Sequence, residues 1–89
     1  MIKNFYDIVA DEMENLLIKN NIEYTRKPIY GGWQFYIHGT DGDIVCHEMS
    51  YGGDSGLWES MGFVWDKGDV TGYLTAREVI NRLKENYGM

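Results

Sequence analysis

The chain is short of cysteine, proline and long apolar runs, and each scarcity excludes a class of protein. A single cysteine, Cys46, permits neither an intramolecular disulfide nor a cysteine-based zinc site. No apolar run approaches the roughly 18 residues of a membrane-spanning helix, so no membrane segment is expected. Asp7, Asp11 and Glu12 interrupt the N-terminal residues before a signal-peptide block can form, and we therefore expect a cytoplasmic protein.

Basic residues are also scarce, because 8 Lys and Arg are set against 14 Asp and Glu, for a net charge of −6. A negative protein repels phosphate, which argues against direct nucleic-acid binding. The same charge attracts a basic partner surface at long range, although it can also serve only to keep a small protein soluble. The chain carries no glycine-rich phosphate loop and no dinucleotide-binding fingerprint.

The remaining composition is that of a small globular protein. The chain has 89 residues, of which 44% are hydrophobic and 25% charged. Such a length accommodates one core and no second domain, so residues 1–89 are expected to form a single compact domain. The charged fraction is ordinary and does not indicate disorder.

Two amphipathic helices are predicted, one at each end. The first covers residues 4–20, with Asn4 as N-cap and an apolar stripe formed by Phe5, Ile8, Val9, Met13, Leu16 and Leu17. Asp7, Asp11 and Glu14 should line its opposite, solvated face. The second begins after Thr75, which with Glu78 forms a Thr-x-x-Glu capping box.

Strands are predicted at residues 22–27, 33–38 and 44–49, with a short fourth strand at 63–65. Asp41-Gly42 favours a two-residue type I′ turn, which would place Ile37 opposite Cys46. Residues alternate between the faces of a strand, so this register predicts a core face and a solvent face. The expected fold class is α+β, with an N-terminal helix, a three- to four-stranded antiparallel sheet and a C-terminal helix.

The predicted solvent face of the sheet carries Tyr36, His38 and His47. In the register above, the two histidines are diagonal neighbours, which long side chains can bridge. Two imidazoles could bind a transition metal or help to hold a small ligand. A metal site needs more ligands than this pair supplies, so we predict no metal and no cofactor, and keep a ligand-binding face as the alternative function.

Residues 51–73 form a glycine-rich segment without a clear helical or strand period. Long irregular segments are uncommon in compact domains and are often functional. This one carries Trp58 and Trp65 beside four carboxylates, those of Asp54, Glu59, Asp66 and Asp69. It is either a recognition loop or a cover for the core. We expect Trp65 in the core and Trp58 nearer the surface.

Residues 66–78 are similar to the second half of an EF-hand calcium loop and its exiting helix. Asp69, Thr71 and Glu78 occupy ligand positions when Gly72 is placed at the sixth position. Lys67 then stands where the leading carboxylate belongs. A turn followed by a capping box explains the same residues, and we expect no calcium site.

No complete catalytic set is present, which predicts a non-enzymatic protein-interaction domain. Its small size and acidity are typical of inhibitors encoded by phages and mobile elements, including those directed against CRISPR systems. The predicted partner-binding residues are acidic side chains with one tryptophan: Asp7, Asp11, Glu14, Asp54, Trp58, Glu59, Asp66 and Asp69. The expected partner is a protein with a basic surface, and self-association into a homodimer remains open.

Overall fold

A computed structural model of the chain describes residues 3–89. The elements are helix α1 (Phe5–Lys19), strands β1 (Tyr24–Ile29), β2 (Gly32–Ile37) and β3 (Asp43–Cys46), a 3-10 helix (Gly53–Ser55), strands β4 (Trp58–Met61) and β5 (Val70–Leu74), and helix α2 (Ala76–Tyr87). The strands form one antiparallel sheet, in which each strand pairs with the next along the chain. The α+β class is confirmed, with five strands instead of three or four.

Both helices begin where the capping residues predict. The Asn4 side chain accepts a hydrogen bond from the Asp7 amide, and the Thr75 side chain accepts one from the Glu78 amide. In each case the acidic side chain also accepts a hydrogen bond from the backbone amide of the cap residue, so both capping boxes are complete. Within residues 3–89, neither helix is long and apolar enough to cross a membrane.

The helices cover one face of the sheet, here called the inner face; the other is the outer face. Inner-face side chains and the helices share one core of buried residues: Val9, Ala10, Met13, Leu17, Ile22, Phe35, Ile37, Ile44, Cys46, Trp58, Phe63, Leu74, Val79, Ile80 and Leu83. Phe5 and Ile8 are about half exposed, contrary to the predicted stripe of α1. The buried face of α1 is centred instead on Ala10 and Met13, and this rotation turns the acidic side of the helix toward the sheet edge.

The type I′ turn lies in a different hairpin from the predicted one. Tyr30 and Gly31 connect β1 to β2 with φ angles of 46° and 78°, while Ile29 pairs with Gly32. Asp41 and Gly42 both have negative φ. Gly42 is required for another reason, because a Cβ atom there would overlap the ring of Phe63. The predicted hairpin is present, with Asp41 and Gly42 in the connection between β2 and β3, but the prediction of a two-residue type I′ turn there was wrong.

This difference changes the register of β2 and β3. Cys46 pairs with Trp33 and Ile44 with Phe35, whereas Ile37 had been expected opposite Cys46. The slip is an even number of residues, so the residues of β2 and β3 keep their predicted faces, whereas His47 lies beyond β3 and is buried. Cys46 is buried, as the predicted face requires.

Residues 51–73 are more regular than predicted, since β4 and β5 both lie within them. The expected strand at 63–65 is absent, and those residues belong to the turn that joins β4 to β5. Asp66 holds this turn together by accepting hydrogen bonds from the Phe63 amide (3.0 Å), Ser60 Oγ (2.8 Å) and Thr71 Oγ1 (2.6 Å). Short strands separated by such turns show no long period, which explains why the sequence pattern missed them.

Both sheet edges carry features that hinder pairing with another strand. Edge strand β1 contains Pro28, which has no amide to donate, and the exposed Lys27. Edge strand β5 pairs irregularly with β4 and contains Tyr73 at a φ of 58°. Proline, exposed lysine and bulges are common means of blocking edge-to-edge association. A homodimer built by strand addition is therefore disfavoured.

Candidate protein-interaction surface

Three of the four carboxylates of α1, those of Asp7, Asp11 and Glu14, are engaged within the molecule. Asp7 accepts a hydrogen bond from Trp33 Nε1 at 2.7 Å. Asp11 and Glu14 accept bonds from Arg26 Nη1 at 2.9 and 3.3 Å. These residues join the helix to β1 and β2, so the expectation of a freely solvated acidic stripe was wrong.

Arg26 is the centre of this polar contact. Its guanidinium lies 4.1 Å from the centre of the Trp33 ring, and its side chain is only 17% exposed. Hydrogen bonds from Lys3 and Arg26 lower the pKa of Asp11. A guanidinium can stack on an aromatic ring and bind carboxylates in its own plane, and this site uses both modes.

Of the two tryptophans of the 51–73 segment, Trp58 was predicted nearer the surface and is buried, whereas Trp65 was predicted in the core and is half-buried against it. Trp58 is 1% exposed and packs edge-to-face with Phe35, at 5.6 Å between ring centres. Trp65 is half-buried, stacks on Phe63 and donates from Nε1 to Ser60 Oγ. Strand β4 points Trp58 to the inner face, since Trp58 is two residues from the buried Ser60. Trp58 is therefore not available as a surface contact in the free protein.

Two of the loop carboxylates hold the fold locally. Asp66 is buried within its hydrogen-bond network, and Asp69 is exposed and accepts from the Val70 amide. Thr71, a ligand position in the EF-hand alignment, uses its hydroxyl to donate to Asp66. Among residues 3–89, no group of three or more His, Cys, Asp and Glu side chains has the arrangement of a metal site.

The two histidines are not neighbours in the observed register. His38 Nε2 lies 2.7 Å from Thr25 Oγ1, and its Nδ1 lies 3.8 Å from a Glu23 oxygen. His47 lies beyond the far end of β3, where its Nδ1 accepts from the Met49 amide and its ring contacts Tyr30. The predicted pairing of the imidazoles was wrong because it depended on the Asp41-Gly42 turn.

The hydroxyl–imidazole–carboxylate order of Thr25, His38 and Glu23 is that of a nucleophile with its base. All three side chains are exposed on the edge strand and the adjoining loop, and Glu23 is 86% exposed. Water reaches each group, so no low-dielectric site strengthens their interaction. The arrangement lacks the enclosure that hydrolytic sites use.

The outer face of the sheet brings together two carboxylates that lie on neighbouring strands. Asp43 pairs with Met61 and Val45 pairs with Glu59, which puts Asp43 and Glu59 at diagonal positions. Asp43 accepts from Gln34 Nε2 at 3.0 Å, and Glu59 accepts from the Tyr51 amide at 3.0 Å. Neither forms an ion pair with a residue of the described chain.

The electrostatic state of Asp43 follows from this setting. Burial raises the pKa of the Asp43 carboxyl, against the bond from Gln34, and the charges of Glu59 and Asp66 raise it further. The raised pKa means that the charged form of Asp43 is disfavoured, first by burial and then by the neighbouring carboxylates. A cation delivered from outside would relieve that condition.

Charge along the chain supports the same picture. Between Lys27 and Lys67 there is no Lys or Arg, while this stretch carries Asp41, Asp43, Glu48, Asp54, Glu59 and Asp66. Glu48 and Asp54 are exposed in the connection between β3 and β4. Asp43 and Glu48 were not among the predicted partner-binding residues. The absence of Lys and Arg from this stretch could have indicated that their charges lack a basic neighbour in the sequence.

One end of the sheet exposes large side chains. Tyr30 comes from the β1–β2 turn, Met49 and Tyr51 from the β3–β4 connection and Tyr73 from β5, and all four are exposed. Sequence patterns did not single them out, because they come from three parts of the sequence that only the fold brings to one end of the sheet. A shallow groove of about 340 Å³ at the other end, lined in part by Asp41 and Tyr87, offers only that one carboxylate.

Comparison with known proteins assigns no relative. No family model, no curated protein and no solved structure matches this chain. The surface itself is therefore the basis for a functional proposal.

Proposed function

We propose that this protein is a small non-enzymatic interaction domain that binds a basic surface on a partner protein. The observation that carries the proposal is the pair Asp43 and Glu59 on the uncovered face of the sheet. Within residues 3–89 these carboxylates find neutral hydrogen-bond donors and no cation. Glu48 and Asp54 add exposed negative charge nearby in sequence.

A basic partner would interact with this face in two ways. Its field would speed association, since complementary charges steer encounter and fix orientation. Its cations would also offset the charges of Glu59 and Asp66, which add to the effect of burial in raising the pKa of Asp43. The bound state therefore gains from a charge arrangement that is unfavourable in the free protein.

The finer proposal is an inhibitory role. An acidic face that occupies a basic surface competes with the nucleic acid that such a surface would otherwise bind. The small size and acidity of the chain are typical of inhibitors encoded by phages or mobile elements, and a cytoplasmic location would suit that role. These points rest on composition and charge.

The test uses isosteric charge removal. In the double variant Asp43→Asn/Glu59→Gln, each amide oxygen can still accept the bond from Gln34 or the Tyr51 amide. The control, Glu12→Gln/Glu85→Gln, removes the same charge from exposed helix positions. The binding of oligolysine would be measured by calorimetry at low and physiological salt.

We expect the outer-face variant to weaken oligolysine binding several-fold more than the control does. Binding should also fall as salt rises, because screening acts over about 8 Å at physiological ionic strength. Equal loss in both variants would mean that only net charge matters. That result, or no binding by the wild type, would refute the proposal.

A further inference from the structure

Four exposed side chains at one end of the sheet form what we call the tyrosine belt: Tyr30, Met49, Tyr51 and Tyr73. Their exposed fractions are 65%, 68%, 58% and 66%. Aromatic side chains and methionine are enriched in protein interfaces, and a cluster of them on a small domain indicates a contact surface.

The members of the belt are connected through direct contacts. The Tyr30 ring lies 5.4 Å from the His47 ring, and His47 Nδ1 accepts from the Met49 amide. The Tyr73 amide donates to the Tyr51 carbonyl at 3.1 Å. Tyr30 belongs to the β1–β2 turn and Tyr73 to β5, so the belt extends across the sheet from one side to the other.

The surroundings of the belt carry negative charge. Residues 47–57, which supply Met49 and Tyr51, contain Glu48 and Asp54 and no Lys or Arg. Glu59 binds the Tyr51 amide and so brings a third carboxylate to the belt. Charge complementarity therefore selects a cationic occupant over an acidic or purely apolar one.

The site of Arg26 within this protein is an example of a cation bound by an aromatic ring and carboxylates together. Arg26 lies over the Trp33 ring at 4.1 Å while binding Asp11 and Glu14. Only a planar guanidinium can combine ring stacking with in-plane bonds to carboxylates; an ammonium acts as a point charge. The tyrosine belt presents the same two kinds of group, rings and carboxylates, on the surface.

We propose that the tyrosine belt is the docking surface for arginine side chains of the partner protein, with rings stacking on guanidinium groups that bond to Glu48 and Glu59. The inference rests on the proposed function and adds the chemistry of the partner: arginine rather than lysine. The belt supplies the selective contacts, and the outer-face carboxylates supply the general attraction.

The test compares oligoarginine with oligolysine of equal length. The belt variant is Tyr30→Asn/Tyr51→Ser/Tyr73→Asn, in which asparagine tolerates the positive φ of residues 30 and 73. The control is Tyr36→Ser, because the ring of Tyr36 is exposed but already lies 5.6 Å from the Lys27 ammonium. Calorimetry gives the affinities, and circular dichroism confirms that each variant is folded.

We expect the wild type and the control to bind oligoarginine about threefold or more tighter than oligolysine, as exposed cation–π contacts allow. The belt variant should lose about tenfold in oligoarginine affinity and retain its oligolysine affinity. Equal affinities for the two peptides, unaffected by the belt substitutions, would refute arginine docking while leaving the proposed function intact. Failure of both peptides to bind would refute the proposed function itself.

A second copy of the chain is the competing occupant. Sedimentation of the wild type and the belt variant decides it, because a dimer that the belt substitutions dissociate would make this surface a self-association interface and overturn the proposal. A monomer at all concentrations, with arginine selectivity in the wild type alone, is the supporting result.

Discussion

Acidic side chains on the two faces of the sheet have different hydrogen-bond partners. On the inner side, Asp11 and Glu14 bind Arg26, and Trp58 is enclosed by the core. On the outer side, among residues 3–89, Asp43 and Glu59 bind neutral donors only and no helix covers them. Net charge in a sequence therefore does not tell how much of that charge is available to a partner.

The pKa values of two aspartates, Asp11 and Asp43, are shifted in opposite directions. Bonds from Lys3 and Arg26 lower the pKa of Asp11, whereas burial raises the pKa of Asp43. The first carboxylate is stabilised in its charged form by the fold, and the second is destabilised. Carboxylates on the helix-covered side are thus paired with a cation of the same molecule, whereas Asp43 and Glu59 on the uncovered side are not.

The largest expected effect contrasts the first and last residues of strand β4, which face opposite sides of the sheet. Trp58→Ala should lower the free energy of unfolding by about 3–5 kcal/mol, as for other large core aromatics. Met61→Ala, on the outer face of the same strand, should change it by no more than about 0.5 kcal/mol. Urea unfolding measures both. Equal losses would show that the outer face is as important to stability as the core.

The next effect tests the polar contact on the inner side. Arg26→Met should cost about 1–2 kcal/mol, because hydrogen bonds of a mostly buried guanidinium are lost. Lys27→Met, one residue along β1, removes the same charge from the outer face and should cost little.

Titration by NMR sharpens the Arg26 experiment. The pKa of Asp11 should rise in Arg26→Met, since one of its two donors is gone. A lowered pKa contributes stability that is present above the unfolded pKa and lost as pH falls through the folded one. The difference between wild type and variant should therefore shrink at acid pH. An unchanged Asp11 titration would show that Lys3 alone sets it.

A smaller effect, of opposite sign, is expected at the tyrosine belt. Tyr30 occupies a type I′ position with φ of 46°, which asparagine adopts more readily. Tyr30→Asn should raise the free energy of unfolding by about 0.5 kcal/mol, after the loss of the His47 contact. Thermal unfolding measures it. A clear loss of stability instead would mean that Tyr30 is retained for packing rather than for binding.

The smallest effect concerns Asp43. Its raised pKa means that the carboxyl adds stability when protonated and that this stability is lost as pH rises through the folded pKa. Asp43→Asn should therefore be slightly more stable than wild type at neutral pH, with the advantage vanishing below the usual aspartate range. Melting temperatures across pH test this. An advantage that persists at acid pH would assign the effect to something other than ionisation.

Local signals explain which features could be predicted. The capping boxes at Asn4 and Thr75 lie within one helical turn, so the sequence alone located both helix starts. The face of each β2 and β3 residue was also predictable, because alternation survives an even slip in register. The predicted strands at residues 22–27, 33–38 and 44–49 overlap β1, β2 and β3.

Features that depend on distant residues could not be predicted. Gly42 accommodates the Phe63 ring, which comes from another hairpin, and Asp11 meets Arg26 only after α1 docks on β1. The burial of Trp58 likewise required strand β4, whose boundaries depend on the Asp66 network.

By itself, the sequence determined the α+β class, the helix starts and the excess of negative charge, since these follow from local propensity, capping and composition. The tertiary structure alone decided which carboxylates are neutralised and which tyrosines are exposed together. The physical reason is that charge compensation and burial are set by neighbours in space, and packing chooses those neighbours.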